Sequence, residues 1–104
     1  MKIYISIPIT GKDEQLQRTK AADIKNKLAP REAVNPFDLA DELIKKHDDE
    51  RRPFPTWQEF LDVDIPELLK CDIIYMCRDW EHSKGCNVEL QTAIENKLSV
   101  FFEK

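Results

Sequence analysis

Lys2-Ile3-Tyr4-Ile5-Ser6-Ile7-Pro8 decides the fold. The run is almost unbroken in apolar side chains, where a half-exposed strand would alternate with polar ones. Apolar side chains on both faces mean burial on both, which is the situation of a parallel strand with helices above and below it. Pro8 cannot donate to a ladder and closes the strand. Lys12 to Leu28 then reads as a helix with Leu16, Ala21, Ile24 and Leu28 near one face, stopped by Pro30. Glu32-Ala33-Val34-Asn35 is a short second strand, closed by Pro36. Asp38 can cap a following helix whose apolar face is Leu39, Leu43 and Ile44.

Lys45 to Pro55 is dense in charge and ends in Pro-Phe-Pro. It reads as a solvated surface loop, with a lid over a site as the alternative. Thr56 can cap a helix through Lys70, striped by Trp57, Phe60, Leu61, Ile65, Leu68 and Leu69, and Pro66 is expected to kink or break it near Asp64. Asp72 to Cys77 is a third strand. After the polar stretch Arg78 to Ser83, Lys84 to Lys97 is a helix with Val88, Leu90, Ala93, Ile94 and Leu98 inward. Ser99-Val100-Phe101-Phe102 is the last strand. Strands alternating with helices give an α/β fold: a small four-stranded parallel sheet covered on both faces. The 104 residues fit a single domain, with no repeat and no interdomain linker.

Composition narrows the function. Hydrophobic residues are 41% and charged residues 35%, a globular balance rather than a disordered one. The net charge of −4 argues against a nucleic-acid polymer as partner, which needs a clustered basic face. No apolar run approaches the roughly 20 residues that cross a bilayer. The chain opens as a strand and not as a secretory leader, so a cytoplasmic protein is expected. Cys71, Cys77 and Cys86 match no zinc spacing. They read as reduced thiols, with Cys71 and Cys77 as buried small hydrophobes.

Open α/β sheets bind ligands beyond the carboxyl ends of their strands, where the strand order switches. Three segments should converge there: Pro8 to Lys12 with Gly11, the turn Asn35-Pro36-Phe37-Asp38, and Arg78 to Gly85. With only two glycines, the chain has no dinucleotide fingerprint and no P-loop. Ser83 is a good helix N-cap, and the free N–H groups behind it, with Lys84 and Gly85, suit an anion such as a phosphate. Glu89 lies six residues on, near the face of Ser83. It is either a working carboxylate or an ordinary solvent-facing helix glutamate. Asp64 is either a second working carboxylate or a cap where the helix restarts after Pro66. Two converging carboxylates would suit glycosidic cleavage, one attacking the anomeric carbon and one moving a proton. Trp80 and Phe37 can stack on a base or pack in the core.

Taken together, several pieces resemble the nucleoside 2-deoxyribosyltransferase superfamily, and more closely a small branch of it, the domain of unknown function DUF4406. They are Ile3-Tyr4-Ile5-Ser6-Ile7-Pro8-Ile9-Thr10-Gly11, Asn35-Pro36-Phe37-Asp38, Asp64 ahead of Asp72-Ile73-Ile74-Tyr75, Trp80-Glu81-His82-Ser83-Lys84-Gly85, and Glu89. The resemblance implies a flavodoxin-like, Rossmann-like three-layer sandwich. It implies Glu89 as the nucleophile that displaces the base, Asp64 as the proton-transfer group and Tyr4 beside the nucleophile. It also implies no cofactor and sites shared between neighbouring subunits. Ser83 stands where the 5'-monophosphate N-hydrolases carry Ser and the transferases of free nucleosides carry Asp, so the small-molecule partner expected is a deoxynucleoside or deoxynucleotide. Two positions depart from the pattern: Ile7 stands where relatives commonly have Gly, and Asn87 where the active enzymes have a small residue. A homo-oligomer is expected from the resemblance, and from the edge strands of so small a sheet.

Overall fold

The computed structural model describes all residues, Met1–Lys104. Its elements follow one another as β1 (Lys2–Ser6), α1 (Glu14–Leu28), β2 (Glu32–Val34), α2 (Pro36–Asp49), α3 (Trp57–Leu69), β3 (Ile73–Met76), α4 (Lys84–Glu95) and β4 (Ser99–Phe102). A 3-10 turn, Trp80–His82, leads into α4. All strand pairs are parallel, in the order β2-β1-β3-β4. That is the order of a flavodoxin-like sheet, and β1 against β3 is its switch point.

The pleat of β1 divides the core. Tyr4 and Ser6 lie beside Ile74 and Met76 in the register with β3. Tyr4, Ile74 and Met76 pack against Leu68 of α3 and Cys86 and Ala93 of α4. Ile5 and Ile7 face the opposite way, into a cluster with Ala21 and Ile24 of α1, Ala33, Phe37 and Cys77. The three cysteines are free and buried. Burial pushes the Cys71 and Cys77 thiols up to about 11 and about 12.

Five local expectations are corrected. The inward face of α1 starts at Gln17, whose amide donates to the Pro8 carbonyl, so Gln17, Ala21, Ile24 and Leu28 hold the stripe and Leu16 is 68% exposed. The charged run from Lys45 does not begin a loop. It continues α2 to Asp49, with His47 turned inward and buried. Asn35, not Asp38, caps α2, accepting from the Phe37 N–H, and Pro36 takes the first helical position, where its missing N–H leaves no helical bond unmade. Pro66 does not break α3. It is exposed, as is Asp62, whose carbonyl it leaves without an intrahelical donor, so the gap falls on the outer side. Thr56 caps α3 as expected, reinforced by a reciprocal bond from Glu59. In α4 the buried positions are Cys86, Glu89 and Ala93, and Ile94, one step off that stripe, is 56% exposed.

Candidate active site

The carboxyl ends of β1, β2 and β3 open onto a cavity of about 150 Å³. Ile7, Ile9 and Thr10 line it from the loop after β1, and Pro36 from the start of α2. Trp57, Phe60, Leu61 and Asp64 form a wall from α3, four residues that recur at helical spacing. Ser83, Gly85, Cys86 and Glu89 close it from α4.

Glu89 is 6% exposed and is not a solvent-facing glutamate. It takes the middle place of the buried Cys86–Glu89–Ala93 stripe, which points α4 at the sheet. Its Oε2 accepts from the Tyr4 hydroxyl at 2.5 Å and its Oε1 from the Ser6 hydroxyl at 2.8 Å. No cation pairs with it. Burial therefore pushes its carboxyl up to about 7, against the downward pull of the two hydroxyls. Asp64 is half-buried on the opposite wall, and because α3 is unbroken it is a mid-helix side chain and not a cap. Burial, and then the charge of Glu89, push it up to about 7 as well. Burial and the two carboxylates hold the Tyr4 hydroxyl well above its ordinary value, so it remains a donor.

Like charges close together cannot both ionise freely. Glu89 has two hydroxyl donors to its charged form, and no donor lowers Asp64. With both carboxyls raised to about 7, the pair gives up one proton near neutrality and holds the second more tightly. One ionised and one protonated carboxyl facing the same cavity can supply a base and an acid to whatever binds there.

The mouth is formed by the start of α4. Ser83 caps that helix, accepting from the Cys86 N–H at 3.2 Å, and no acidic residue stands in its first turn. The Lys84 ammonium lies 4.3 Å from the centre of the Trp57 ring. The loops on either side are tied by an ion pair between Lys12 and Asp79 at 2.9 Å.

The sequence-derived candidates divide. Glu89, Asp64, Ser83 and Gly85 meet at the cavity, Tyr4 supports Glu89 from behind, and Lys84 stands at the rim. The others lie elsewhere. Pro8 is buried and its carbonyl is taken by Gln17. Gly11 holds a turn at φ +79°, open to solvent. Asn35 is spent on its cap, and Phe37 is in the core under the Arg18 guanidinium. Asp38 is exposed and pairs with Lys25 at 3.3 Å. Trp80 packs against the Tyr4 cluster and against Phe102 at 5.6 Å. The aromatics at the cavity are instead Trp57 and Phe60, which the sequence places on the apolar stripe of α3 without a role at the site. Trp57 keeps 40% of its surface exposed.

The two departures also separate. Ile7 does line the cavity. Asn87 is exposed, and its amide donates to the carbonyls of Trp80, Glu81 and Ser83, fastening the 3-10 turn to α4. No three His, Cys, Asp or Glu side chains are grouped to hold a metal ion, and no helix is long and apolar enough to cross a membrane.

No curated protein and no solved structure matches the chain. A family model described as Domain of unknown function (DUF4406) matches residues 1–102, and with that coverage the chain belongs to the DUF4406 family.

Proposed function

We propose that this protein cleaves or transfers the N-glycosidic bond of 2'-deoxynucleosides, as their 5'-monophosphates, by a retaining double displacement. The observation that carries the reading is one cavity that brings together two carboxyl groups, Glu89 and Asp64, each raised to about 7 by burial, beside an open helix N-terminus. The Glu89 carboxylate attacks the anomeric carbon. The bond to the base nitrogen breaks, and the Asp64 proton passes to the departing base. The sugar is then held as an ester of Glu89. Water attacks the same carbon, Asp64 takes the proton, and Glu89 leaves as a carboxylate. A second base in place of water gives transfer. The free N–H groups at the start of α4, the Ser83 hydroxyl and Lys84 suit the 5'-phosphate, where an Asp would repel it.

The cavity, about 150 Å³, is smaller than the roughly 300 Å³ at which small-molecule sites usually begin. It holds one ring and leaves the remainder of a nucleotide at the mouth, under Trp57 and Lys84. Ile7 supports a second reading, a nucleotide-binding domain without turnover, because its branched side chain lines the cavity and narrows it.

The test is chromatography of free base released from a panel of 2'-deoxynucleosides and their 5'-monophosphates. A second base is added to half of the reactions, and Glu89→Gln is the control. Release from the monophosphates, lost in the variant, is the expected result. A new nucleoside formed only with the second base identifies a transferase. Nucleotide binding without release by folded protein overturns the glycosidase in favour of the binding domain.

A further inference from the structure

Both oxygens of the Glu89 carboxylate are engaged by β1. Tyr4 and Ser6 are two residues apart on that strand, so the pleat turns their side chains to the same face. The Tyr4 hydroxyl donates to Oε2 and the Ser6 hydroxyl to Oε1. Both residues are fully buried, and neither lines the cavity, whereas Glu89 does. The hydroxyls therefore grip the carboxylate from the strand side and leave its other side toward the cavity.

We propose that Ser6 is a positioning residue, which pins the Glu89 oxygen that Tyr4 does not reach and so fixes the plane of the carboxylate. The inference rests on the reading of Glu89 as nucleophile. One hydrogen bond leaves a glutamate free to turn about that bond, and a second, on the other oxygen, removes that freedom. When the ester forms, one oxygen bonds to the anomeric carbon and the other becomes a carbonyl, still an acceptor. When the ester breaks, charge returns to both oxygens, and both hydroxyls stabilise it. Ser6 thus acts at attack by orientation and at release by hydrogen bonding, without touching the sugar.

The experiment follows the Glu89 carboxyl directly, by 13C NMR of protein labelled at glutamate Cδ, in Ser6→Ala, Ser6→Cys and Ser6→Thr. Loss of a donor to a charged group is expected to raise the Glu89 midpoint by about one pH unit, on the order of tenfold in proton affinity. Ser6→Cys keeps a similar volume with a much weaker donor, so it moves the same way if Ser6→Ala folds poorly. Ser6→Thr restores the midpoint. In turnover, kcat falls about tenfold with KM within about twofold, and the acid limb of the pH profile moves up with the midpoint.

An unmoved midpoint and an unmoved acid limb in folded Ser6→Ala overturn the proposal, and an active parent protein then leaves the glycosidase reading standing. A raised midpoint in a protein that releases no base does the reverse. It supports Ser6 as the residue that holds Glu89 and sinks the glycosidase.

Discussion

Glu59, in the first turn of α3, and Glu89, in the middle of α4, both have two oxygens in use, but the donors differ in kind. Glu59 accepts from the Thr56 N–H at 3.1 Å, and its other oxygen lies 3.1 Å from Arg52 and 3.4 Å from the ring of His47. The Thr56 backbone bond first, and then the charges, hold its carboxyl below the ordinary range. Glu89 has only hydroxyls, and burial lifts it to about 7. A carboxylate among cations and N–H groups is committed to structure, because its charge is already neutralised. One among hydroxyls in a dry site keeps a charge to use, at a cost in stability.

Replacing Glu89 separates those two properties most sharply. On the proposed reading Glu89→Gln removes the nucleophile and is expected to reduce base release by about 10⁴-fold or more, read by chromatography. The same variant is expected to be more stable than the parent at pH 8. A carboxyl whose folded midpoint is raised from 4.5 to about 7 binds its proton more tightly when folded. Its contribution is therefore full below pH 4.5 and declines as pH rises to about 7, a loss on the order of 3 kcal/mol that Gln does not suffer. Thermal unfolding should show the variant melting several degrees higher at pH 8 and level with the parent at pH 4. A variant that melts lower at pH 8 would mean that Glu89, like Glu59, is a structural acid.

Asp64→Asn comes next, with an expected loss of about 10²- to 10³-fold. The proposed mechanism needs Glu89 ionised and Asp64 protonated, so the parent's rate should rise and then fall across neutrality, with apparent midpoints that belong to the pair. Asn cannot give up a proton, so the fall on the alkaline side should disappear in the variant. If it persists, another group is the acid.

Much of the fold was legible because its signals are local. The apolar run Ile3 to Ile7 marks a strand buried on both faces, and Thr56 with Glu59 three residues on marks a helix start. The site was legible only in part. Cys86, Glu89 and Ala93 stand at helical spacing, and that pattern alone would have put Glu89 on the buried stripe. Pro66 was misleading because a proline on the outer side of a helix costs a hydrogen bond without turning the chain. Trp57 and Phe60 read only as part of an apolar stripe, because such a stripe has the same spacing whether it faces a neighbour or a cavity. Trp80 and Phe37 stay open in the sequence between stacking on a base and packing in the core, because which way each side chain turns is set by packing partners far along the chain, Phe102 and Arg18.

The start of α3 offers a smaller test. Thr56→Ala removes the hydroxyl that accepts from the Glu59 N–H at 3.2 Å, and stability is expected to fall by about 1 kcal/mol. Turnover should stay within about twofold, since Asp64 lies two turns further along and is held by packing. A collapse in kcat comparable to that of the Asp64 variant would show that the cap of α3 belongs to the chemistry and not only to the fold.

The smallest effect is expected at Asp38, and it bears on where an anion sits. Two helices begin beyond the carboxyl ends of β2 and β3, the strands on either side of β1. The start of α2 is closed: Asn35 accepts from the Phe37 N–H, Pro36 has no N–H to offer, and Asp38 adds negative charge beside Lys25. The start of α4 is open, with a hydroxyl at the cap, Lys84 and Gly85 next, and no acid in the first turn. A phosphate therefore has donors to meet at α4 and few at α2. Asp38→Asn removes an exposed charge with one surface partner, so stability should change by no more than about 0.5 kcal/mol. Affinity for a 5'-monophosphate, measured by calorimetry, should be unchanged for the same reason. A gain of about tenfold would mean that the Asp38 charge had been repelling the phosphate, and the anion would then belong at α2 rather than at Ser83.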